Sequence, residues 1–222
     1  MALASTITRF PSPPAPSEKF VDDNRFRALL PPEEWGRLPV ATWRRFSKRL
    51  GPGSTIVYAG EIEEATFSTI GWWLAQVARL IGGPLPSGRE TKVPIIVTVT
   101  EDAASGGQVW TRLCARSSGF PQAIHSVKRF AGPTGIEEYV GCGISMALTI
   151  SVEHEAMVFR SAGYSFEIGP LRLALPEWLT PGAMTVTHVD LGGGEFRFTL
   201  DVVHPRFGTL IRQSAVFREV LS

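Results

Sequence analysis

From Val93 to Arg218 the sequence is a succession of short stretches in which apolar and polar residues alternate, and this constrains the fold more than any other feature. Val93–Thr100, Gly107–Arg116, His125–Phe130, Glu137–Val140, Gly143–Val152, Ala156–Ser161, Tyr164–Ile168, Met184–Asp190, Glu195–Val203 and Thr209–Arg218 all read as strands. Ser105-Gly106-Gly107, Gly132-Pro133-Thr134-Gly135, Glu153-His154-Glu155, Gly192-Gly193-Gly194 and Pro205-Arg206-Phe207-Gly208 punctuate them. Connections this short join only antiparallel neighbours, because a parallel crossover takes about a dozen residues or more. The expected fold is α+β and mostly antiparallel β: a long meander curved into a barrel-like or half-barrel sheet.

The segment before Val93 holds the one main amphipathic helix that the sheet is expected to curve around, preceded by short N-terminal helices. Residues 1–17 are rich in Pro and Ser and read as a disordered tail, leaving 18–222 as a single β-rich domain. Short helices are expected at Arg25–Leu30, stopped by Pro31-Pro32, and over Pro39–Leu50, with Val40, Trp43, Phe46 and Leu50 three or four apart. Ile56–Glu64 alternates as a strand. The main amphipathic helix follows, capped by Ser68 or Thr69 and stopped near Gly82-Gly83-Pro84. Its apolar stripe of Trp72, Trp73, Val77, Leu80 and Ile81 predicts burial against the sheet.

Composition excludes several classes of function. A net charge of +1 offers no concentrated basic face for nucleic acid. No run approaches the ~20 apolar residues of a membrane-spanning helix. Residues 1–17 lack the pattern of a signal peptide, and the cysteines, Cys114 and Cys142, form no CxxC. A reduced, cytoplasmic chain is the expectation.

Several runs together resemble a known family. They are Trp110-Thr111-Arg112, Gly163-Tyr164-Ser165-Phe166, Gly169-Pro170-Leu171, the stretch Leu175–Pro181, Gly194-Glu195-Phe196-Arg197-Phe198, and His204–Leu210. Phe26–Leu30 and Leu80–Pro86 add to them. The chain resembles the bacterial domain-of-unknown-function family 4166 over roughly residues 22–220. The resemblance implies a stand-alone chain or an appendage to a dehydrogenase-like partner, and it brings no catalytic residues. No GxGxxG opens a βαβ unit here, so the chain carries no such dehydrogenase itself.

Motifs for chemistry are sparse. His125, His154, His188 and His204 form none of HxH, HExxH or HxxxH, so no metal centre and no cofactor are expected. Gly143-Ile144-Ser145-Met146-Ala147 lacks the last glycine of a nucleophile elbow and lies within a strand. Glu61 and Glu63 share a strand face, and Glu137-Glu138 form a second carboxylate pair; a solvated outer face accounts for the first equally well. His188, on the face of Met184 and Val186, together with His125 and Arg112, are the catalytic candidates. Trp72, Trp110, Tyr164, Arg112 and Arg212 are the candidate ligand-binding residues, the arginines because an inward guanidinium needs a carboxylate or an anionic ligand.

Three functions follow. The first is binding of a hydrophobic or lipid-like small molecule between curved sheet and helix. The second is a small cofactor-independent enzyme (isomerase, cyclase or hydrolase) using acid/base residues in that cavity. The third is an interaction module for a dehydrogenase-like protein, marked by an exposed apolar patch around Leu175–Leu179.

Overall fold

The computed structural model describes residues 20–220 apart from 52–53, 83 and 103–104, so the tail expected over 1–17 lies outside the described residues. In chain order the strands are β1 (Phe20–Asp22), β2 (Lys48–Leu50), β3 (Thr55–Phe67), β4 (Pro94–Glu101), β5 (Gln108–Cys114), β6 (Gln122–Arg129), β7 (Glu137–Gly141), β8 (Ile144–Glu153), β9 (Ala156–Ile168), β10 (Leu171–Ala174), β11 (Ala183–Gly192), β12 (Glu195–His204) and β13 (Gly208–Glu219). The helices are α1 (Pro32–Trp35), α2 (Val40–Phe46) and α3 (Thr69–Ala78), with 3-10 turns at Arg27–Leu29, Arg79–Ile81 and Glu177–Leu179.

The expected meander is present, and it closes. Each strand from β3 to β9 pairs antiparallel with the next; β9 then pairs with β11, and β11, β12 and β13 continue round to β3. The result is a closed ten-stranded barrel, with β10 paired onto the last residues of β9 as a flap. Closure satisfies the backbone groups that an open half-barrel would leave along its two edges. The strands predicted separately at Ala156–Ser161 and Tyr164–Ile168 are one, β9, which turns through Gly163 at φ 124°. The helix expected over Pro39–Leu50 ends at Phe46, and Lys48–Leu50 instead pair with Phe20–Asp22.

Alternation along the strands fills the barrel unevenly. At one end, reached by the β8–β9 and β11–β12 turns, the N-terminal segment is a plug. Phe26, Leu30, Trp35, Leu38 and Phe46 pack against Met146, Leu148, Val152, Met157 and Phe159 from β8 and β9. Phe26 meets Phe46, Phe130 and Phe159 edge-on with ring centroids 5.0 to 6.3 Å apart. Polar contacts fix the plug: Arg25 binds Asp23 and donates to the Gly106 carbonyl, and Glu34 Oε2 accepts the Val152 N–H at 3.0 Å.

Helix α3 sits at the opposite end. Ser68 Oγ accepts the Gly71 N–H at 3.0 Å, as a cap should, and Gly82 ends the following turn at φ 103°. The face that packs is not the one expected. Gly71, Ala75 and Ala78 are buried against the β12–β13 hairpin around Val202, Leu210 and Ile211. Trp73 and Leu80 are 60% and 83% exposed. The reason is proximity: a Cβ on Gly71 would stand 1.9 Å from the Leu210 carbonyl oxygen, so only the small-residue face can approach the sheet. No helix among the described residues is long and apolar enough to cross a membrane.

Candidate functional site: a cavity at the open end of the barrel

Between α3 and the plug the barrel encloses a cavity of about 340 Å³. Its mouth is made by Leu74, Val77, Ala78 and Ile81 of the helical segment, by Pro84-Leu85-Pro86, and by Leu175 and Leu179–Pro181. Gln122 pins the second of these, its Nε2 donating to the Leu85 carbonyl at 3.0 Å and its Oε1 accepting the Ser87 N–H at 2.9 Å. Phe46, Trp110 and Phe198 line both the cavity and a void of about 20 Å³ beyond it beside Arg45 and Tyr58, so these three rings form the floor. Most of the remaining wall is apolar, including Ile95, Val97, Met184, Val186, Leu200 and Phe217.

One patch of wall is charged. Arg112 on β5, Lys128 on β6 and Glu138 on β7 all face the cavity. Lys128 Nζ donates to Glu138 Oε2 at 3.3 Å, Arg112 Nη2 lies 3.7 Å from Glu138 Oε1, and Arg112 Nη1 donates to Ser126 Oγ at 3.3 Å. Lys128 Nζ also sits 4.7 Å from the centre of the Trp110 ring, a cation–π contact. Burial alone would raise the Glu138 carboxyl, but Lys128, Arg112 and the Ser126 hydroxyl outweigh it and hold the group down at about 2. Burial lowers the Lys128 ammonium, against the opposing pull of Glu138, and Arg112 lowers it further. The carboxylate is therefore ionised, and two basic groups, Lys128 and Arg112, face it.

The structure sorts the sequence candidates. Trp110, Arg112 and Tyr164 line the cavity, and the Tyr164 hydroxyl donates to the Gly182 carbonyl at 3.2 Å. Trp72 does not line it: half-buried on α3, it stands edge-on to Trp73 at 5.0 Å, because α3 packs by its small residues. Arg212 points outward, where it binds Glu64 and Asp201 at 3.1 and 2.8 Å; Gln213, Ala215 and Phe217 are the inward residues of β13. His125 is exposed on the outside, with Nδ1 3.1 Å from Thr111 Oγ1. His188 points inward as expected but lies outside the cavity lining. It is wholly buried among Phe46, Phe196 and Phe198, with Nε2 2.9 Å from Arg45 Nη1. Burial first, and then Arg45, push it down to about 3, so it is neutral.

Of the other charged cavity residues, Glu138 is marked in the sequence only as half of a carboxylate pair with Glu137, and no motif marks Lys128. Their signal was strand parity: Lys128 follows Ile124 and Ser126 on one face, and adjacent Glu137 and Glu138 must face opposite sides. Glu137 lies under Arg172 and beside Arg129 in an outer cluster, where Ser145 Oγ donates to Glu167 Oε1 at 2.8 Å. Glu61 and Glu63 are exposed, and Glu63 binds Arg197 at 2.9 Å. Among the described residues no cluster of His, Cys, Asp or Glu is arranged to hold a metal.

The architecture is thus a closed antiparallel barrel, plugged at one end and holding an apolar cavity with a buried charged patch at the other. A family model described as "Domain of unknown function (DUF4166)" matches residues 38–217, and the chain belongs to that family. The match begins at Leu38, just before α2, so the first part of the plug precedes it. Comparison with curated proteins gives no match.

Proposed function

We propose that the protein binds a hydrophobic or lipid-like small molecule inside the barrel. The observation that carries this is the cavity: about 340 Å³, enclosed by apolar side chains from the strands, with a mouth framed by Val77, Ile81, Leu85 and Leu179. Its size is within the range of small-molecule sites, and apolar walls with a few polar groups are the usual lining of such sites. The test is displacement of a fluorescent apolar dye by dodecanol, repeated in Ala215→Trp, which places an indole in the cavity. Binding to the native chain and its loss in the folded variant support the reading. Equal binding by both would place the dye elsewhere.

Catalysis in the same cavity is a second reading, favoured by the Arg112–Lys128–Glu138 patch. His188 and His125 do not reach the cavity, so acid/base work would fall to Lys128, the one group there whose proton is loosened by burial. Docking of a dehydrogenase-like partner is a third, supported by Trp178, which is 77% exposed beside the mouth. Trp178→Ala leaves dye displacement unchanged on the first reading and abolishes capture of such a partner on the third.

A further inference from the structure

Ligand binding in the cavity leaves open which end of a molecule goes where, and the charged patch answers it. Of the described residues lining the cavity, Arg112 and Lys128 are basic and Glu138 alone is acidic, so two basic groups share one carboxylate and one of them has no counter-charge of its own. Both cations share that one carboxylate at 3.3 and 3.7 Å, longer than the roughly 2.7–2.9 Å of a well-made charge-assisted bond. Lys128 is opposite Gln108 in the β5–β6 register, toward the plug, whereas Arg112 lies one further inward position from Trp110 toward the mouth. The surplus charge thus sits below the mouth, against the floor formed by Trp110. From there to the mouth most of the wall is apolar, with Tyr164, Thr199 and Gln213 the polar exceptions.

Resting on the cavity-binding reading, we infer that the ligand is a single-tailed amphiphile with a monoanionic head, such as a fatty carboxylate, held head-inward. The head lies between Arg112 and Lys128 and completes the bonds that Glu138 satisfies only in part. The tail runs past Val97, Val186 and Leu200 to the apolar rim. A monoanion balances the charge of the patch; a neutral head would leave it unbalanced and displace nothing of equal strength, since a buried charge without its counter-charge is strongly unfavourable.

Isothermal titration with dodecanoate and with dodecanol at pH 8 tests this. The acid is expected to bind at least about tenfold more tightly than the alcohol, the difference a charged hydrogen bond makes. Arg112→Gln, at a partly exposed position, should remove most of that preference while leaving dodecanol binding intact. Glu138→Gln, which removes the carboxylate that Arg112 and Lys128 share and so destabilises the unliganded chain, should strengthen dodecanoate binding, and the acid should raise the melting temperature of this variant more than that of the native chain. Equal affinity for acid and alcohol, unmoved by Arg112→Gln, would overturn the assignment of the head group and leave the cavity reading standing. Binding of neither would overturn the cavity reading itself.

Discussion

The two ends of the barrel are built from the same ten strands and come to opposite results. At the plugged end the N-terminal segment fills the interior with rings: Phe26, Phe46 and Phe159 are buried together, and His188 is packed among Phe46, Phe196 and Phe198. At the other end α3 lies across the rim on its small residues, and the wall residues beneath it face a cavity. Burial shifts basic groups toward their neutral forms in both regions, Arg45 and His188 beside the plug and Lys128 in the cavity. In the cavity a carboxylate, Glu138, is held ionised by basic groups that face it. One end is packed to stabilise the fold, and the other gives up packing for space.

That contrast can be broken most directly by truncation. Phe26→Ala, in the centre of the plug, should cost about 3–5 kcal/mol in urea unfolding. Leu200→Ala on the cavity wall should cost clearly less, since its side chain is only partly surrounded. Equal losses would mean that the cavity collapses in solution. Glu138→Leu should be nearly as damaging as the first, about 3–5 kcal/mol, because it strands Lys128; pairing it with Lys128→Met should recover most of the loss. If the double change is as costly as the single one, the patch is doing more for the fold than pairing charges.

The pH dependence sharpens the comparison further. His188 is neutral in the folded chain with its pKa down at about 3. The unfolded chain takes up a proton on this residue below about 6.5, so it binds more protons than the folded chain in the window between. Stability should therefore fall as pH drops from about 6.5 toward 3, by about 1.4 kcal/mol for each unit of the shift. His188→Phe should flatten the part between pH 6.5 and 5, where Glu138, with its pKa lowered from 4.5, does not titrate. A profile unchanged by the substitution would mean that water reaches the imidazole. At the open end, Gly71→Ala should push α3 off the Leu210 carbonyl at a cost of about 1–3 kcal/mol, seen as faster amide exchange in α3. Smallest of all, Arg212→Ala should cost under about 1 kcal/mol, as befits an exposed ion pair.

Local pattern carried much of the fold. Period-2 alternation located the strands of the meander, and the Ser68 cap located α3. Closure was not legible, because it depends on β13 finding β3 across most of the chain and on β9 serving β8 and β11 at once. The N-terminal plug was missed for the same reason: short helices with scattered Phe and Trp do not reveal that they fill a barrel. At the site, Trp110, Arg112 and Tyr164 were legible from aromatic and cationic positions on strands. Trp72 was misread because large apolar residues marked the helix face, whereas Gly71, Ala75 and Ala78, four and three apart, marked the face that packs. Arg212 was misplaced because the inward and outward faces of β13 cannot be told apart without their partners: Gln213, Ala215 and Phe217 face the cavity, and Arg212 pairs with Glu64 and Asp201 outside.

The most direct test of the central claim, that the open end is a ligand cavity, is native mass spectrometry of the freshly purified protein followed by denaturing extraction. The account predicts a reproducible adduct, a hydrophobic molecule with an acidic head, that disappears in Ala215→Trp. A clean mass from several expression hosts, with no uptake of added dodecanoate or dodecanol, would contradict it.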